Sequence, residues 1–414
     1  MGSEMCIRDS STAMSGGLSR GGVDFSLLFS DKKVDSEVGF TFVAPQRTID
    51  SATRFVNLTG GPSLTSTDID VNGSYFIPKV AAKVGIGEHF DCAATFSTPF
   101  GADQDNGLNN AVSGSAVEFE IDTEDYGLTC SFKYNLGETR LGQSRVRLIG
   151  GGSILEFDGF LSRQSFVDFV GIPAAFIPAG LGALNAEGLG TFTVDDTTFG
   201  WRAGLAYEIP KSAIRVSAVY SSEYDVEATG IVDITGFNTN AAALIPTAPI
   251  SLTTVLPQQV DINIQSGINA KTIAFGNFNW TDWSQLGSIP VEGVFSAATG
   301  QPLDTFFEPL YRDGLTVTGG VGRKFKENLS GLLSLTWDRG TSTTTGTQTD
   351  TWLVRTGLSY KANDNISIQA GGAVGVLTSG STSGVGVLDV NTQASRSFGN
   401  DFVGAFSASA KISF

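Results

Sequence analysis

The last nine residues of the chain, Phe406-Ser-Ala-Ser-Ala-Lys-Ile-Ser-Phe414, alternate strictly between apolar and polar side chains. Successive side chains of a β-strand point to opposite faces, so this segment predicts a strand with one apolar and one polar face. An edge strand of a soluble sheet has this pattern, and so does a strand of a membrane β-barrel. The rest of the chain decides between these two settings.

The composition favours the membrane. Of the 414 residues, 41% are hydrophobic and only 16% are charged, with 51 Gly and 29 Phe. These are few charges for a soluble protein, yet no apolar run approaches the ~18 residues that a membrane helix needs. Strands cross lipid as a closed barrel, because every backbone polar group must be paired there. A final strand that ends on an aromatic residue resembles the closing strand of bacterial outer-membrane barrels.

The same period of two recurs along the chain. The connectors between these segments alternate between short and long, as periplasmic turns and extracellular loops do in outer-membrane barrels. We therefore predict an all-β fold, a 14-stranded antiparallel transmembrane β-barrel with a short N-terminal lumen plug. The predicted strands lie near residues 37–44, 79–87, 89–98, 116–136, 144–158, 197–209, 213–229, 258–269, 271–284, 313–325, 329–340, 350–361, 365–378 and 401–414.

The predicted organisation has three parts. Residues 1–15 are interpreted as an artefactual leader joined to a signal-peptide remnant, because Ala13-Met14-Ser15 has the small–x–small form of a cleavage site. Residues 16–36 are expected to form a short N-terminal hatch in the lumen, and residues 37–414 are expected to form the barrel.

Two details of the strands stay open. In the fourth segment the apolar residues change from odd to even positions, and we expect a β-bulge around Asp122–Asp125 to reconcile them. Cys92 and Cys130 lie in strand patterns, either as small apolar residues or as a disulfide pair.

Two predicted outer loops, 159–196 and 230–257, are rich in apolar residues, whereas loops that meet only water and sugars should be polar. Either these loops pack on each other as a lid, or they form an apolar surface that captures a hydrophobic ligand, and both can hold because a lid with an apolar groove is itself a binding site. The candidate ligand-binding residues are Phe160, Phe166, Phe169, Ile172, Phe176, Ile177, Leu244 and Ile245.

Seven cations are predicted to face the lumen. Three of them, Arg202, Arg215 and Arg355, are candidates for binding a carboxylate head group, because Arg binds carboxylates through two parallel hydrogen bonds. The alternative is that the cations pair with lumen acids, for which Glu118, Glu120 and Asp338 are the candidates, and stabilise the wall. The seven are Lys83, Lys133, Arg147, Arg202, Arg215, Arg355 and Lys361.

Other functional classes are disfavoured. The net charge of −16 argues against nucleic acid as a partner. The single histidine, His89, lies in a tight turn, and no phosphate-binding glycine motif stands between a strand and a helix. We expect no enzymatic activity, no metal and no cofactor.

The ordered set of strands and motifs resembles the FadL/TodX family of outer-membrane transporters for long-chain fatty acids and hydrocarbons. The local matches are Tyr75-Phe-Ile-Pro-Lys79 leading to Thr98-Pro-Phe-Gly101, Leu256-Pro257, and Asn279-Trp-Thr-Asp-Trp-Ser-Gln285. The resemblance implies a 14-stranded barrel with an N-terminal hatch and two large apolar loops, after the fifth and seventh strands. One departure is the hatch, which is longer in the family and opens there on an Asn-Pro-Ala-type motif.

The resemblance also implies passive uptake. The outer loops would capture a hydrophobic ligand, and the ligand would leave sideways into the membrane through a gap at a kinked third strand, near Pro99. The expected partners are fatty acids or related hydrocarbons, outer-membrane lipid, and the barrel assembly machinery, which would recognise the strand ending at Phe414. Two alternatives stay open: a general diffusion porin for small polar solutes, and a structural or adhesive surface barrel with a plugged lumen.

Overall fold

The structure, a computed structural model, describes residues 16–21, 23–55, 63–167, 186–233, 247–294, 302, 305–385 and 393–414. The predicted leader, 1–15, lies outside these residues. The described strands are β1 (Val34–Phe55), β2 (Ser63–Asn72), β3 (Tyr75–Ile86), β4 (Phe90–Ser97), β5 (Gly101–Asp105), β6 (Glu118–Thr139), β7 (Gly142–Val167), β8 (Ala186–Ile209), β9 (Ile214–Ser221), β10 (Tyr224–Asp233), β11 (Ala248–Leu256), β12 (Gln259–Asn269), β13 (Thr272–Thr281), β14 (Ile289–Glu292), β15 (Thr305–Phe307), β16 (Gly314–Lys326), β17 (Leu329–Asp338), β18 (Thr351–Lys361), β19 (Ile366–Leu377), β20 (Gly380–Thr382), β21 (Ser395–Phe398) and β22 (Asp401–Ser413). Short 3₁₀ helices cover Phe25–Phe29, Pro210–Ser212 and Trp283–Gln285. Among the described residues, no helix is long and apolar enough to cross a membrane.

Fourteen of these strands close into a ring through antiparallel pairing. The order around the ring is β1, β3, β4, β6, β7, β8, β9, β12, β13, β16, β17, β18, β19 and β22. The last strand pairs with the first, with Phe406 opposite Phe42, so the barrel has no open edge at its seam. The predicted fold class and strand number are confirmed.

The alternation of side chains explains why these segments form a barrel. On β18, Trp352 and Val354 are 47% and 48% exposed on the outer face, whereas Leu353 between them is 4% exposed in the interior. A sheet whose outer face is apolar and exposed is stable only against lipid, which is the arrangement of transmembrane barrels.

The strands extend beyond the predicted loop boundaries. The predicted loop 159–196 is strand up to Val167 and again from Ala186, and the predicted loop 230–257 contains the end of β10 and all of β11. These loop boundaries were therefore wrong. Outside the lipid, a strand needs no apolar outer face, so backbone pairing continues without the pattern that reveals a membrane strand.

The predicted bulge in β6 was also wrong. The pairing of β6 with β7 runs without a register shift from Glu118 to Asn135, and the even-numbered side chains point outward throughout. The outer face simply changes from acidic residues at Glu118 and Glu120 to apolar residues from Tyr126 onward. The change in apolar phase therefore marks the level at which the strand enters the membrane.

Cys92 and Cys130 form a disulfide between β4 and β6, with a Cα–Cα distance of 4.0 Å. The two residues are direct partners in the register of these strands. The structure thus decides between the two alternatives that the sequence left open.

The described N-terminal residues 16–21 and 23–30, which we call the plug, lie inside the lumen. Its residues Leu27 and Leu28 are 2% and 0% exposed, and Leu28 packs against inward-facing residues of β4, β7, β8 and β9. The Lys83 ammonium donates a hydrogen bond to the carbonyl of Ser30 at 3.0 Å. This contact ties the segment to the wall near the end of the barrel that carries the short turns.

A buried charge network surrounds this attachment. Lys83 lies 3.2 Å from Asp91, and Arg147 bonds both Asp91 and Glu208 at 2.7 Å. All four residues are at most 4% exposed. Buried charges persist only when they are paired, so this network fixes the plug and the wall in one arrangement.

Candidate functional site

An apolar cavity lies inside the barrel, above the plug and near the end that carries the long connections. It holds about 750 Å³ of empty space, part of which is open to solvent. Its walls come from the outer parts of β6, β7, β8, β11 and β14, and representative lining residues are Phe119, Ile121, Phe157, Leu252 and Leu256. Its mostly apolar lining suits a ligand that is itself mostly hydrocarbon.

Arg163 is the one charged side chain among the residues that line this cavity. It is 8% exposed, and its Nη2 donates a hydrogen bond to the carbonyl of Phe306 at 3.1 Å. A guanidinium at an apolar cavity can hold the carboxylate of an amphiphile whose chain occupies the rest of the space.

Aromatic rings form the floor of the cavity region. Phe100 and Trp283 are 2% and 0% exposed, and their rings meet edge to face at 5.8 Å. Tyr224 approaches Phe100 at 6.4 Å, and Tyr311 approaches Trp283 at 6.0 Å. Burial raises the pKa of Tyr311 to about 12, so its hydroxyl stays neutral and accepts a hydrogen bond from Gln348.

The third strand of the barrel is broken beside this floor. Its pairing with β6 passes from Ser97 opposite Asp125 to Gly101 opposite Asp122, so three residues, 98–100, face only two. Such a bulge bends the strand. The kink that the resemblance implied near Pro99 is found in this segment.

The bend leaves a gap in the wall. On its β1 side β3 is paired as far as Tyr75, but on its β4 side the pairing ends at Lys79. Among the described residues, the stretch 76–78 therefore has no strand partner on that side. Pro78 within it carries no N–H to pair.

The N-terminal segment fills part of this gap. The bent stretch around residues 98–101 forms hydrogen bonds with the plug instead of with β3. The Arg20 amide donates to the Pro99 carbonyl at 2.9 Å, and the Gly101 amide donates to the Leu18 carbonyl at 2.7 Å. Leu18 also lines the apolar cavity. The cavity and the gap thus share one short stretch of the plug.

Arg20 occupies the space between the gap edges. It is 6% exposed, bonds Asp122 at 2.7 Å and lies 5.0 Å from the centre of the Tyr75 ring. A side chain in place of the Gly101 hydrogen would come within 2.3 Å of the Arg20 Nε. Glycine at this position is therefore required for Arg20 to lie where it does.

The predicted ligand-binding residues are distributed as follows. Phe160 lines the apolar cavity. Phe166 belongs to β7, and its side chain is outside the described part of the structure. The remaining candidates fall outside the described residues: Phe169, Ile172, Phe176, Ile177, Leu244 and Ile245. Their role in ligand binding stays a prediction.

The predicted head-group residues lie in the lumen but not in the apolar cavity. Arg202 is 4% exposed, bonds Asp125 at 2.7 Å and lies 5.8 Å from the Phe25 ring of the plug. Arg215 lies 4.4 Å from the Phe29 ring. Arg355 faces a polar space on the opposite wall. Their head-group role stays a prediction.

The predicted acidic partners of these cations were wrong. Glu118 and Glu120 are on the outer face, and Asp338 is buried against Thr316 rather than beside a lumen cation. Four of the cations pair instead with Asp91, Asp125 or Glu208: Lys83, Lys133, Arg147 and Arg202. The error follows from the phase change in β6, which places its acids outside.

Sequence reasoning missed Arg163 and Arg20. Arg163 lies in the stretch predicted as a loop, where side-chain direction cannot be assigned. The sequence did contain a signal, because odd-numbered residues in 157–163 share one face of an extended strand. That face carries Phe157, Leu161 and Arg163. Arg20 had no sequence signal, because its position depends on the plug entering the lumen.

Comparisons with known proteins agree with this architecture. The chain matches the family described as "Outer membrane protein transport protein (OMPP1/FadL/TodX)" over residues 27–376. The long-chain fatty acid transport protein of Shigella flexneri is 23% identical over 342 residues, which cover 76% of this chain and 74% of that protein.

Solved structures show the same fold. A FadL homologue from Pseudomonas aeruginosa superposes with a TM-score of 0.77 at 17% identity, covering 94% of this chain and 92% of the other. The CymD monoaromatic hydrocarbon channel has a TM-score of 0.63 at 16% identity, covering 94% and 90%. The match to the family covers well over half of the sequence. The chain therefore belongs to the OMPP1/FadL/TodX family of outer-membrane transport proteins, and it is a multi-stranded outer-membrane β-barrel.

Proposed function

We propose that this protein carries out passive uptake of hydrophobic molecules, with long-chain fatty acids as the first ligand class. The observation that carries the proposal is the apolar cavity at the outer end of the barrel, with Arg163 as the one charge in its lining. A chain of methylene groups gains about 0.8 kcal/mol per CH₂ on leaving water, so such a cavity binds an acyl chain without any specific polar contact.

The route out of the cavity is proposed to be lateral. The wall gap at residues 76–78 lies beside the plug, whose Leu18 also lines the cavity. The opposite route, toward the periplasm, meets the buried leucines of the plug and the Lys83–Asp91–Arg147 network. Transfer of an apolar ligand into lipid is favourable, whereas its transfer into water is unfavourable. The gap is therefore the favoured exit.

The relatives support the class of ligand. The Shigella flexneri relative is a long-chain fatty acid transport protein, and TbuX of Ralstonia pickettii is a toluene transporter. Arg163 favours the acid over the neutral hydrocarbon for this chain, because an unionised ligand offers the guanidinium no partner. Assembly of the barrel is proposed to depend on recognition of the strand that ends at Phe414.

The experiment is uptake of a labelled long-chain fatty acid by bacteria that lack their own transporter and produce this protein. Leu252→Asp places a charge in the cavity wall, whereas Leu108→Asp places the same charge at a residue that is 54% exposed. We expect the first variant to abolish uptake and the second to retain it. Equal uptake by both variants, at equal amounts of folded barrel in the outer membrane, would contradict the proposal.

A further inference from the structure

The Arg20 side chain reaches from the plug into the bent part of the wall. A Cβ atom at Gly101 would come within 2.3 Å of the Arg20 Nε, so the guanidinium lies where a side chain of Gly101 would stand. Gly101 is the direct cross-strand partner of Asp122. Such partners share one face of a sheet, and Asp122 is on the outer face. The Arg20 side chain therefore runs from the lumen toward the outer face of the barrel.

The guanidinium of Arg20 joins the two edges of the gap. Its Nη1 lies 2.7 Å from the carboxylate of Asp122, whose side chain is 51% exposed. On the other edge, the Arg20 Cζ lies 5.0 Å from the centre of the Tyr75 ring of β3. We call the Arg20–Asp122 ion pair the latch.

The latch lies near the level at which lipid begins. The outward residues of β6 are acidic from Glu118 to Glu124 and apolar from Tyr126 onward. The rings of Phe96 and Tyr126 lie 5.3 Å apart on the same outer face, and aromatic girdles mark the lipid–water boundary of such barrels. An amphiphile that leaves here places its chain in lipid while its head group stays in the polar layer beside Arg20.

Part of the Arg20 guanidinium is left unbonded. Its Nε is buried and has no hydrogen-bond partner among the described residues. Arg20 lines a space of about 990 Å³ beside the gap, part of which is open to solvent, and Leu18 lines both this space and the apolar cavity. Buried N–H groups without an acceptor are rare, so the free edge of the guanidinium is an unused site for an oxyanion.

The other charged residues that line this space are engaged or lie elsewhere. Arg47 bonds Asp401 at 2.9 Å, so its charge is balanced. Asp103 is exposed on the outer face, and Asp338 accepts a hydrogen bond from a threonine of the neighbouring strand. Within the described part of the lining, Arg20 is the cation with a buried donor left free.

We propose that Arg20 is a carboxylate site at the exit, and that a fatty acid releases the latch by taking the place of Asp122. The inference rests on the proposed uptake function and adds the class of ligand that the gap releases. A carboxylate on the free Nε edge shares the guanidinium charge with Asp122, and an ion pair with a half-exposed partner is weak enough to exchange. A neutral chain has no group to exchange, so it meets the gap with the latch in place.

The test is the ratio of two uptake rates in bacteria that lack their own transporter and produce this protein. The ligands are a labelled long-chain fatty acid and the alcohol of equal chain length, each corrected for cells without the barrel. Asp122→Asn removes the charge of the latch and keeps the shape of the side chain. The matched control, Asp158→Asn, makes the same change at the exposed cross-strand neighbour of Asp122. Arg20→Met removes the cation at similar length, in the plug rather than in a strand of the barrel.

We expect the acid-to-alcohol ratio to fall about tenfold in Asp122→Asn, equivalent to ~1.4 kcal/mol in the barrier, chiefly because alcohol uptake rises. Arg20→Met should give the same fall, and it decides alone if Asp122→Asn does not fold. Asp158→Asn should keep the ratio of the unaltered protein.

Two results overturn the inference. An unchanged ratio in folded Arg20→Met or Asp122→Asn, while the acid is still taken up, removes the latch and leaves the uptake function standing. Absence of uptake of both ligands by the unaltered, folded protein removes the uptake function and the latch together.

Discussion

Replacing Arg163 by leucine is expected to weaken the binding of long-chain fatty acids without weakening the binding of neutral chains of the same length. Arg163 is 8% exposed and is the one charged residue in the lining of the apolar cavity. Leucine keeps the wall apolar and removes the partner of the carboxylate.

The magnitude follows from the burial of the guanidinium. A hydrogen bond that involves a charged group contributes about 1.5–3 kcal/mol. At about 1.4 kcal/mol for each factor of ten, the fatty acid should bind roughly 10- to 150-fold more weakly to Arg163→Leu. A neutral alcohol or alkane of equal chain length should bind with the same affinity or slightly more tightly, because the cavity loses a desolvated charge.

The assay is displacement of a fluorescent fatty acid from the detergent-solubilised barrel, with the acid and the alcohol as competitors at a pH where the acid is ionised. Arg140→Leu is the matched control, since Arg140 is exposed in the turn between β6 and β7. Equal affinity of Arg163→Leu and the unaltered protein for the acid would refute the role of Arg163. An equal loss for acid and alcohol would refute it too, because it would show a change in cavity shape.

Three further predictions concern the wall and its supports. Arg20→Ala empties the space at the gap beside Tyr75, so we expect faster uptake of a labelled fatty acid by cells, whereas a slower rate would contradict the gap as the exit. Asp125→Ala leaves the Arg202 guanidinium buried without its carboxylate, so the free energy of unfolding in urea should fall by about 3–5 kcal/mol, and a loss below 1 kcal/mol would show that the pair is not coupled to folding. Cys92→Ala/Cys130→Ala opens a cross-link that spans 38 residues, which should lower the same free energy by roughly 3–4 kcal/mol, with reductant having no effect on the variant.

The fold was largely predictable because lipid imposes a period of two on every strand that crosses it. The alternation of apolar and polar residues in the strand that ends at Phe414, and in the other segments, predicted the barrel. The number of such segments predicted the number of strands. Outside the lipid the outer face of a strand need not be apolar, so the alternation is lost there. For this reason the outer parts of β7, β8, β10 and β11 were assigned to loops. Glu118 and Glu120 of β6 were assigned to the lumen for the same reason. Their outward orientation can be recognised only once the level at which β6 leaves the membrane is known.

The site was less predictable because it is built from contacts between distant parts of the chain. Arg20 reaches the wall gap only when the plug is inside the barrel, and no local pattern encodes that. The bend near Pro99 was expected from the resemblance to the family, which implies a kinked third strand.

The central claim is that the apolar cavity binds a hydrophobic ligand. Calorimetric titration of a long-chain fatty acid into the refolded, detergent-solubilised barrel, with a detergent-only blank, tests it most directly. The account predicts saturable, near-stoichiometric binding that is lost in Leu252→Asp and kept in Leu108→Asp. Absence of saturable binding by a demonstrably folded barrel would contradict it.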